Sequence, residues 1–186
     1  MKKGIIIAII VGLVVMLGIA LISTNNNLVS LEAEVDAALA NIDTNLQRRA
    51  DLIPNLVSTV KGYAAHEQAA IDSVTEARAN LAGASTVEEK AEADSALTAA
   101  LNNLLVGVEN YPDLKASANF TQLSDELAGT ENRIAVARRD YNDAVQSYNT
   151  AIRKFPRSLV AGLVGFTQKD YFQASDNAQN MPDVSF

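Results

Sequence analysis

FTQLSDELAGTENRIAVARRDYNDAVQSYNTAI, residues 120–152, decides the fold of this chain. Apolar side chains recur at Phe120, Leu123, Leu127, Ile134, Ala137, Tyr141, Ala144, Tyr148 and Ile152. That three-and-four spacing draws one stripe along an α-helix. The helix opens at an Asn119/Gln122 cap, stops near Pro156, and covers about 35 residues or ~52 Å. An apolar stripe of that length must be buried against other elements, so the rest of the chain has to supply partners.

Upstream segments supply them. Leu28, Leu31, Val35, Ala38, Ile42, Leu46, Ile53, Leu56 and Val60 form a more ragged stripe after Asn25-Asn26-Asn27, giving a helix over 28–61 with Gly62 as its stop. Ile71, Val74 and Leu81 mark a second helix over 64–82 that ends at Gly83. Ser85 with Glu88, or Thr86 with Glu89, fits a capping box for a third helix. That helix carries Leu97, Leu101, Leu104 and Val108 and ends at Pro112, because Tyr111 before it is pushed out of helical geometry. Short connections make neighbouring helices antiparallel.

The expected fold is all-α: an N-terminal transmembrane helix, then an elongated antiparallel up-down-up-down four-helix bundle. If Gly62 does not break the chain, the alternative is three long helices with the first one bent. Four segments follow: 1–3 as the N-terminus, 4–22 as the anchor, 28–156 as the bundle, and 157–186 as a tail packing at its base. The last contains GLVGF at 162–166, too short to cross a bilayer, and the aromatics Tyr171, Phe172 and Phe186; packing on the base of the bundle is the plainer reading, and contact with lipid the alternative.

Composition limits function. The chain has 186 residues, a net charge of -7, no Cys and no Trp. An acidic chain lacks the basic footprint that nucleic acid requires. Without Cys there are no thiolate ligands, no disulfides and no lipid-modified cysteine. Residues 4–22, GIIIAIIVGLVVMLGIALI, are uncharged and span ~28 Å as a helix, close to the hydrocarbon thickness of a bilayer. The run is longer than a signal-peptide core and no small-x-small site follows it, so it reads as an uncleaved anchor. Lys2 and Lys3 precede it, whereas Ser23 to Ile42 contain Glu32, Glu34 and Asp36 and no cation. The positive-inside rule then places the N-terminus in the cytoplasm and the bundle outside the inner (cell) membrane. Gly4, Ala8 and Gly12 share one helix face, where small residues allow close approach of a second copy; frequent Gly and Ala in membrane helices is the plainer reading.

No catalytic signature is present. His66 is the only histidine, and di-iron bundles need two Glu-x-x-His pairs. There is no Gly-rich phosphate loop. No cofactor or metal is expected, and no enzymatic activity.

Two polar sets remain. The first is Arg48, Arg49, Asp51, Pro54 and Asn55. A helix-interior proline frees the carbonyl four residues back, that of Ala50. A neighbouring arginine could satisfy it, or pair with an inward carboxylate such as Glu131; alternatively the bend shapes a surface for a partner. The second set is Glu109, Tyr111, Pro112, Glu131, Asn132, Arg138, Tyr141, Asn142, Tyr148 and Asn149. Tyr141 and Tyr148 are two turns apart, as are Glu131 and Arg138, which suits polar layers setting register in an apolar bundle as well as a ligand pocket.

Long strings in this chain are recognisable: IDTNLQRRADLIPNLVSTVKGYAAHE (42–67), ARANL (77–81), ENYPDLKASANFTQLSDELAGTENRIAVARRDYNDAVQSYN (109–149), the FP at 155–156 and the MPDVSF end. With them, the chain resembles the LemA family of bacterial membrane proteins over nearly its whole length. The resemblance implies a membrane-anchored antiparallel helical bundle with no established enzymatic activity, cofactor or ligand. Members of the family are also found alongside membrane peptidases and envelope-stress proteins. The expected function is a non-enzymatic scaffold or adaptor, with the bilayer, an envelope protein or a second copy as partner. A regulator or sensor using the Pro54 bend is the alternative, and an enzyme or ligand binder working in the bundle core the remaining one.

Overall fold

A computed structural model describes residues 2–64 and 66–173. Among these, every regular element is a helix: α1 Lys2–Tyr63, α2 Gln68–Gly83, α3 Val87–Val108, α4 Pro112–Lys115, α5 Ala118–Arg153 and α6 Arg157–Val164. The structure is therefore all-α, with antiparallel bundle packing. α1 stops at Tyr63 and α2 starts at Gln68, so these are separate helices and the three-helix alternative does not hold.

Several boundaries differ from the sequence reading. The anchor read at 4–22 and the helix read at 28–61 are one element, and α1 runs through Asn25–Asn27 without interruption. Asparagine lies only about 0.7 kcal/mol below alanine in helix propensity, and Leu28, directly after the three asparagines, is wholly buried. Packing outweighs that local preference. Pro112 does not end the third helix, which stops at Val108; it starts α4 at a first-turn position, where no N–H is needed. Tyr111 before it has φ -123° and ψ 80°, outside helical geometry as the proline requires. Asn119 lies inside the first turn of α5, and Gln122 donates to Glu126 rather than capping.

The chain divides into two compact units. The first gathers the described residues of 2–38 and 142–169. The second gathers the described residues of 39–141 and 170–173.

In the second unit, α2 and α3 form a tight antiparallel hairpin. The C-terminal part of α1 lies against α2, α3 and the first part of α5. Ile42, Leu46, Ile53, Leu56 and Val60 from α1, Ile71 and Val74 from α2, Leu97, Leu104 and Val108 from α3, and Ile134 from α5 are all buried. Leu114 of α4 closes the core and is wholly buried. In the first unit the buried positions are Leu28 and Val35 of α1, Val145, Tyr148, Ala151 and Ile152 of α5, and Val160 and Ala161 of α6. In contrast, the described large apolar side chains from Ile6 to Ile22 stand exposed, on a helix long and apolar enough to cross a membrane.

The start of α3 is a complete capping box, Thr86 with Glu89. The Thr86 Oγ1 accepts from the Glu89 amide at 3.1 Å, and the Glu89 carboxylate accepts from the amides of Ser85 and Thr86 at 2.7 and 3.0 Å. Those two amides hold the Glu89 pKa below its ordinary value, the Ser85 amide most strongly. Thr86→Ala is expected to destabilise the unit by about 1 kcal/mol in thermal melts. Because the Glu89 pKa is depressed on folding, its contribution is present above the ordinary carboxylate pKa and is lost as pH falls through the lowered one. Amide exchange at 87–90 should therefore accelerate in acid before the rest of the unit, and should not do so in Glu89→Gln.

Candidate functional site

The second unit contains an ionic cluster in its interior. Arg49 continues the α1 stripe: with Ile42, Leu46, Ile53, Leu56 and Val60 it alternates steps of four and three. Asp94 does the same on α3 with Leu97, Leu101, Leu104 and Val108. Both side chains are 2 % exposed, and Arg49 Nη1 donates to Asp94 Oδ1 at 2.6 Å. The other Asp94 oxygen accepts from Arg138 Nη2 of α5. Arg49 Nη2 also lies 3.7 Å from Glu131 Oε2, on the exposed side of α5. The guanidinium of Arg138 sits over the Phe172 ring, 4.7 Å from its centroid, and Phe172 is itself buried. Three helices and the segment after α6 thus meet at one carboxylate.

Removing ions from water costs several kcal/mol each unless charge pairing and hydrogen bonds offset it. Here one carboxylate serves two guanidiniums, and Glu131 brings a second negative charge from the rim.

At the next residue of α1, the Ala50 carbonyl is the one Pro54 leaves without its helical N–H. It accepts from Arg78 Nε of α2 at 2.7 Å. The arginine that repairs the proline defect is therefore Arg78, from a neighbouring helix, and neither Arg48 nor Arg49. The Arg49–Glu131 pairing is present at long range, but the principal partner of Arg49 is Asp94. Sequence reasoning missed both Asp94 and Arg78. For Asp94 the signal was available: a lone carboxylate in register with a leucine stripe.

The remaining singled-out residues are dispersed. Arg48 is exposed, 3.8 Å from Glu126. Asp51 accepts from Gln47 at 2.8 Å, and Pro54 and Asn55 face solvent. Glu109 is exposed, 4.0 Å from Lys115. Tyr111 donates to Glu67 at 3.2 Å; desolvation first, and that carboxylate second, raise its pKa. Pro112, Glu131 and Asn132 are exposed and Asn142 is half-buried. Tyr141 is buried and donates to the Asp170 carbonyl at 2.8 Å. Two shallow open grooves lie side by side along α1 and α5 and share Gln122 and Glu126; one is lined by Arg48 and Arg133, the other by Asn55 and Thr59.

In the first unit, Asn149 is buried and grips the backbone of Lys169 from both sides, donating to its carbonyl and accepting from its amide at 2.9 Å each. Lys169 Nζ reaches Glu32 at 2.8 Å, and that bond raises the lysine pKa. Tyr148 packs edge-on against Phe166, with ring centroids 6.5 Å apart. Its buried hydroxyl has no hydrogen-bond partner among the described residues, and burial, then Glu32, push its pKa up. Gly4, Ala8 and Gly12 are exposed.

The LemA family model matches residues 38–186, which include Arg49, Asp94 and Arg138. The chain belongs to the LemA family. It is 28% identical over 174 residues to magnetosome protein MamQ 2 of Paramagnetospirillum magneticum, covering 80% of this chain and 64% of that one. It is 26% identical over 173 residues to magnetosome protein MamQ of Magnetospirillum gryphiswaldense, with 79% and 64% covered. The chain thus spans a little under two thirds of the length of these MamQ relatives. To protein LemA of Metamycoplasma hominis it is 30% identical over 160 residues, with 83% and 71% covered. With the exposed apolar run of α1, this is a membrane-associated helical LemA protein.

Asp94→Ala leaves Arg49 buried without its main partner and is expected to cost about 3–5 kcal/mol in thermal melts of the full chain. Replacing all three charges, as Arg49→Met, Asp94→Leu and Arg138→Met together, should recover most of that loss.

A double-mutant cycle tests the proline repair. Arg78→Ala should destabilise by about 1–3 kcal/mol, the penalty of an unsatisfied buried carbonyl. Pro54→Ala restores the helical N–H to Ala50 and should raise the melting temperature. In that background the Arg78→Ala loss should shrink; additivity of the two changes would refute the assignment.

Proposed function

We propose that this LemA protein is a non-enzymatic scaffold or adaptor held in the cell membrane by a single pass, residues 4–22. Its N-terminus is cytoplasmic and its bundle stands on the extracytoplasmic side, where it presents an exposed polar face to envelope proteins. The observation that carries this reading is how the interior ionisable groups are used. Arg49, Asp94 and Arg138 are engaged with one another, and Arg78 with the Ala50 carbonyl. These groups are committed to holding helices together, which leaves solvent-facing residues for recognition. The paired grooves of α1 and α5, bordered by Arg48 and Asn55, are the face assigned to a partner.

A second reading has one observation in its favour. The α1 backbone at Ala50 is satisfied by a side chain from α2 rather than by its own helix. A bond of that kind can be exchanged when α2 moves, as a sensor or regulator needs. Native-state hydrogen exchange separates the two: a scaffold protects 48–60 evenly, whereas a switch opens there cooperatively.

Cross-linking in intact cells, followed by purification in mild detergent, tests the adaptor role. A recurring membrane partner is expected, lost in Arg48→Glu with Asn55→Lys and retained in the fold-stabilising Pro54→Ala. Self-cross-links alone, abolished by Gly4→Leu with Gly12→Leu, would instead mean a self-assembling scaffold. Capture unaffected by the groove substitutions would remove that face from the proposal.

A further inference from the structure

α6 presents apolar side chains in two opposite directions. Val160 and Ala161 are buried at 6 % and 3 %, whereas Leu159 and Leu163 are 58 % and 82 % exposed. Phe155, just before the helix and 80 % exposed, continues the outward stripe at four-residue spacing, and exposed Val164 ends it. The helix is closed by Gly165 at φ 93°, with the Phe166 amide bonded back to the Ala161 carbonyl at 3.0 Å. It is a terminated element of its own and not a frayed end of α5. A compact apolar patch left in water calls for an occupant.

Charge and register say which. The chain carries a net charge of -7, yet residues 144–169 hold Arg153, Lys154, Arg157 and Lys169 and no Asp or Glu. Within the first unit, Lys169 ties Asn149 of α5 to Glu32 of α1, and Glu32 acts on the Tyr148 hydroxyl. Residues 148–149 therefore lie level with residue 32. The buried positions have the same spacing on both helices, seven residues from Leu28 to Val35 on α1 and seven from Val145 to Ile152 on α5. Continued at ~1.5 Å per residue, this register sets the start of α6 level with Ser23 and Thr24, directly beyond Ile22, where the apolar run of α1 ends.

We propose that α6 and the turn before it lie on the surface of the bilayer that α1 crosses. Phe155, Leu159 and Leu163 enter the headgroup–acyl boundary, and Arg153 and Lys154 meet anionic lipid headgroups. The protein then touches its membrane at two places remote in sequence. This rests on the single-pass anchor of the proposed function and is independent of the adaptor role.

The chain has no Cys, so single labels are clean. Full-length protein carrying Leu159→Cys or Leu163→Cys is labelled with an environment-sensitive fluorophore. It is placed, one copy per lipid nanodisc, in phosphatidylcholine with or without phosphatidylglycerol. The expected result is a blue-shifted emission that doxyl-labelled lipid quenches strongly, more so with phosphatidylglycerol. Gln146→Cys, exposed on α5 of the same unit, should show neither effect. Emission open to aqueous iodide and untouched by doxyl lipid at both positions overturns the proposal. A blue shift without lipid quenching also overturns it, because the patch is then covered by protein. A blue shift that appears only when several copies share a disc points to a second copy and overturns it as well. Adding Arg153→Glu and Lys154→Glu should abolish the phosphatidylglycerol dependence; if it persists, the headgroup assignment fails.

Discussion

The shared carboxylate of Asp94 is the constraint on which the second unit depends. Apolar stripes attract without direction, and leucine-rich helices can slide by a turn at modest loss of contact. Ions inside the stripe cannot. Moving α3 by one turn against α1 or α5 would withdraw Asp94 from Arg49 or Arg138 and leave a guanidinium buried and unpaired, a penalty larger than the gain from any single apolar contact. The cluster therefore fixes the axial register of α1, α3 and α5 at once. Phe172 ties the chain after α6 to the same point by covering Arg138.

Other features follow from that register. Arg49 precedes Ala50, so the carbonyl left free by Pro54 is buried next to the ionic cluster and must be satisfied by something other than water. Arg78 reaches it from α2, which adds that helix to the set. Lys90 with Asp43, at 2.7 Å, pins α3 to α1 on the half-exposed flank. The first unit solves the same problem differently: its core is aliphatic and aromatic, and its specific polar contacts are the grip of Asn149 on the Lys169 backbone and the Lys169–Glu32 pair.

Much of this was legible in the residues, and what was not has identifiable reasons. The α5 stripe from Phe120 to Ile152 and the Thr86–Glu89 cap are local patterns, and local patterns survive folding when packing agrees with them. The helix start at 28 did not survive, because burial of Leu28 outweighs the weak helix propensity of Asn25–Asn27. Pro112 was assigned to the wrong end of a helix, since the geometry it imposes on Tyr111 suits a start as well as a stop. Asp94 was overlooked although it stands in register with the leucine stripe of α3: in the polar-looking segment AEADSAL a single carboxylate reads as a solvated position, and its meaning depends on the arginines opposite.

By itself the sequence determined an all-helical chain with one apolar run long enough to cross a bilayer, the stripes that face inward, and family membership. These depend on spacing and composition along one strand of chain. Only the tertiary structure decided which cation meets which anion, that Arg78 and not Arg48 or Arg49 repairs the proline defect, and that α6 keeps an apolar face in the open. Those outcomes depend on the rotation and axial register of helices far apart in sequence, which are set by the joint satisfaction of buried charges and carbonyls.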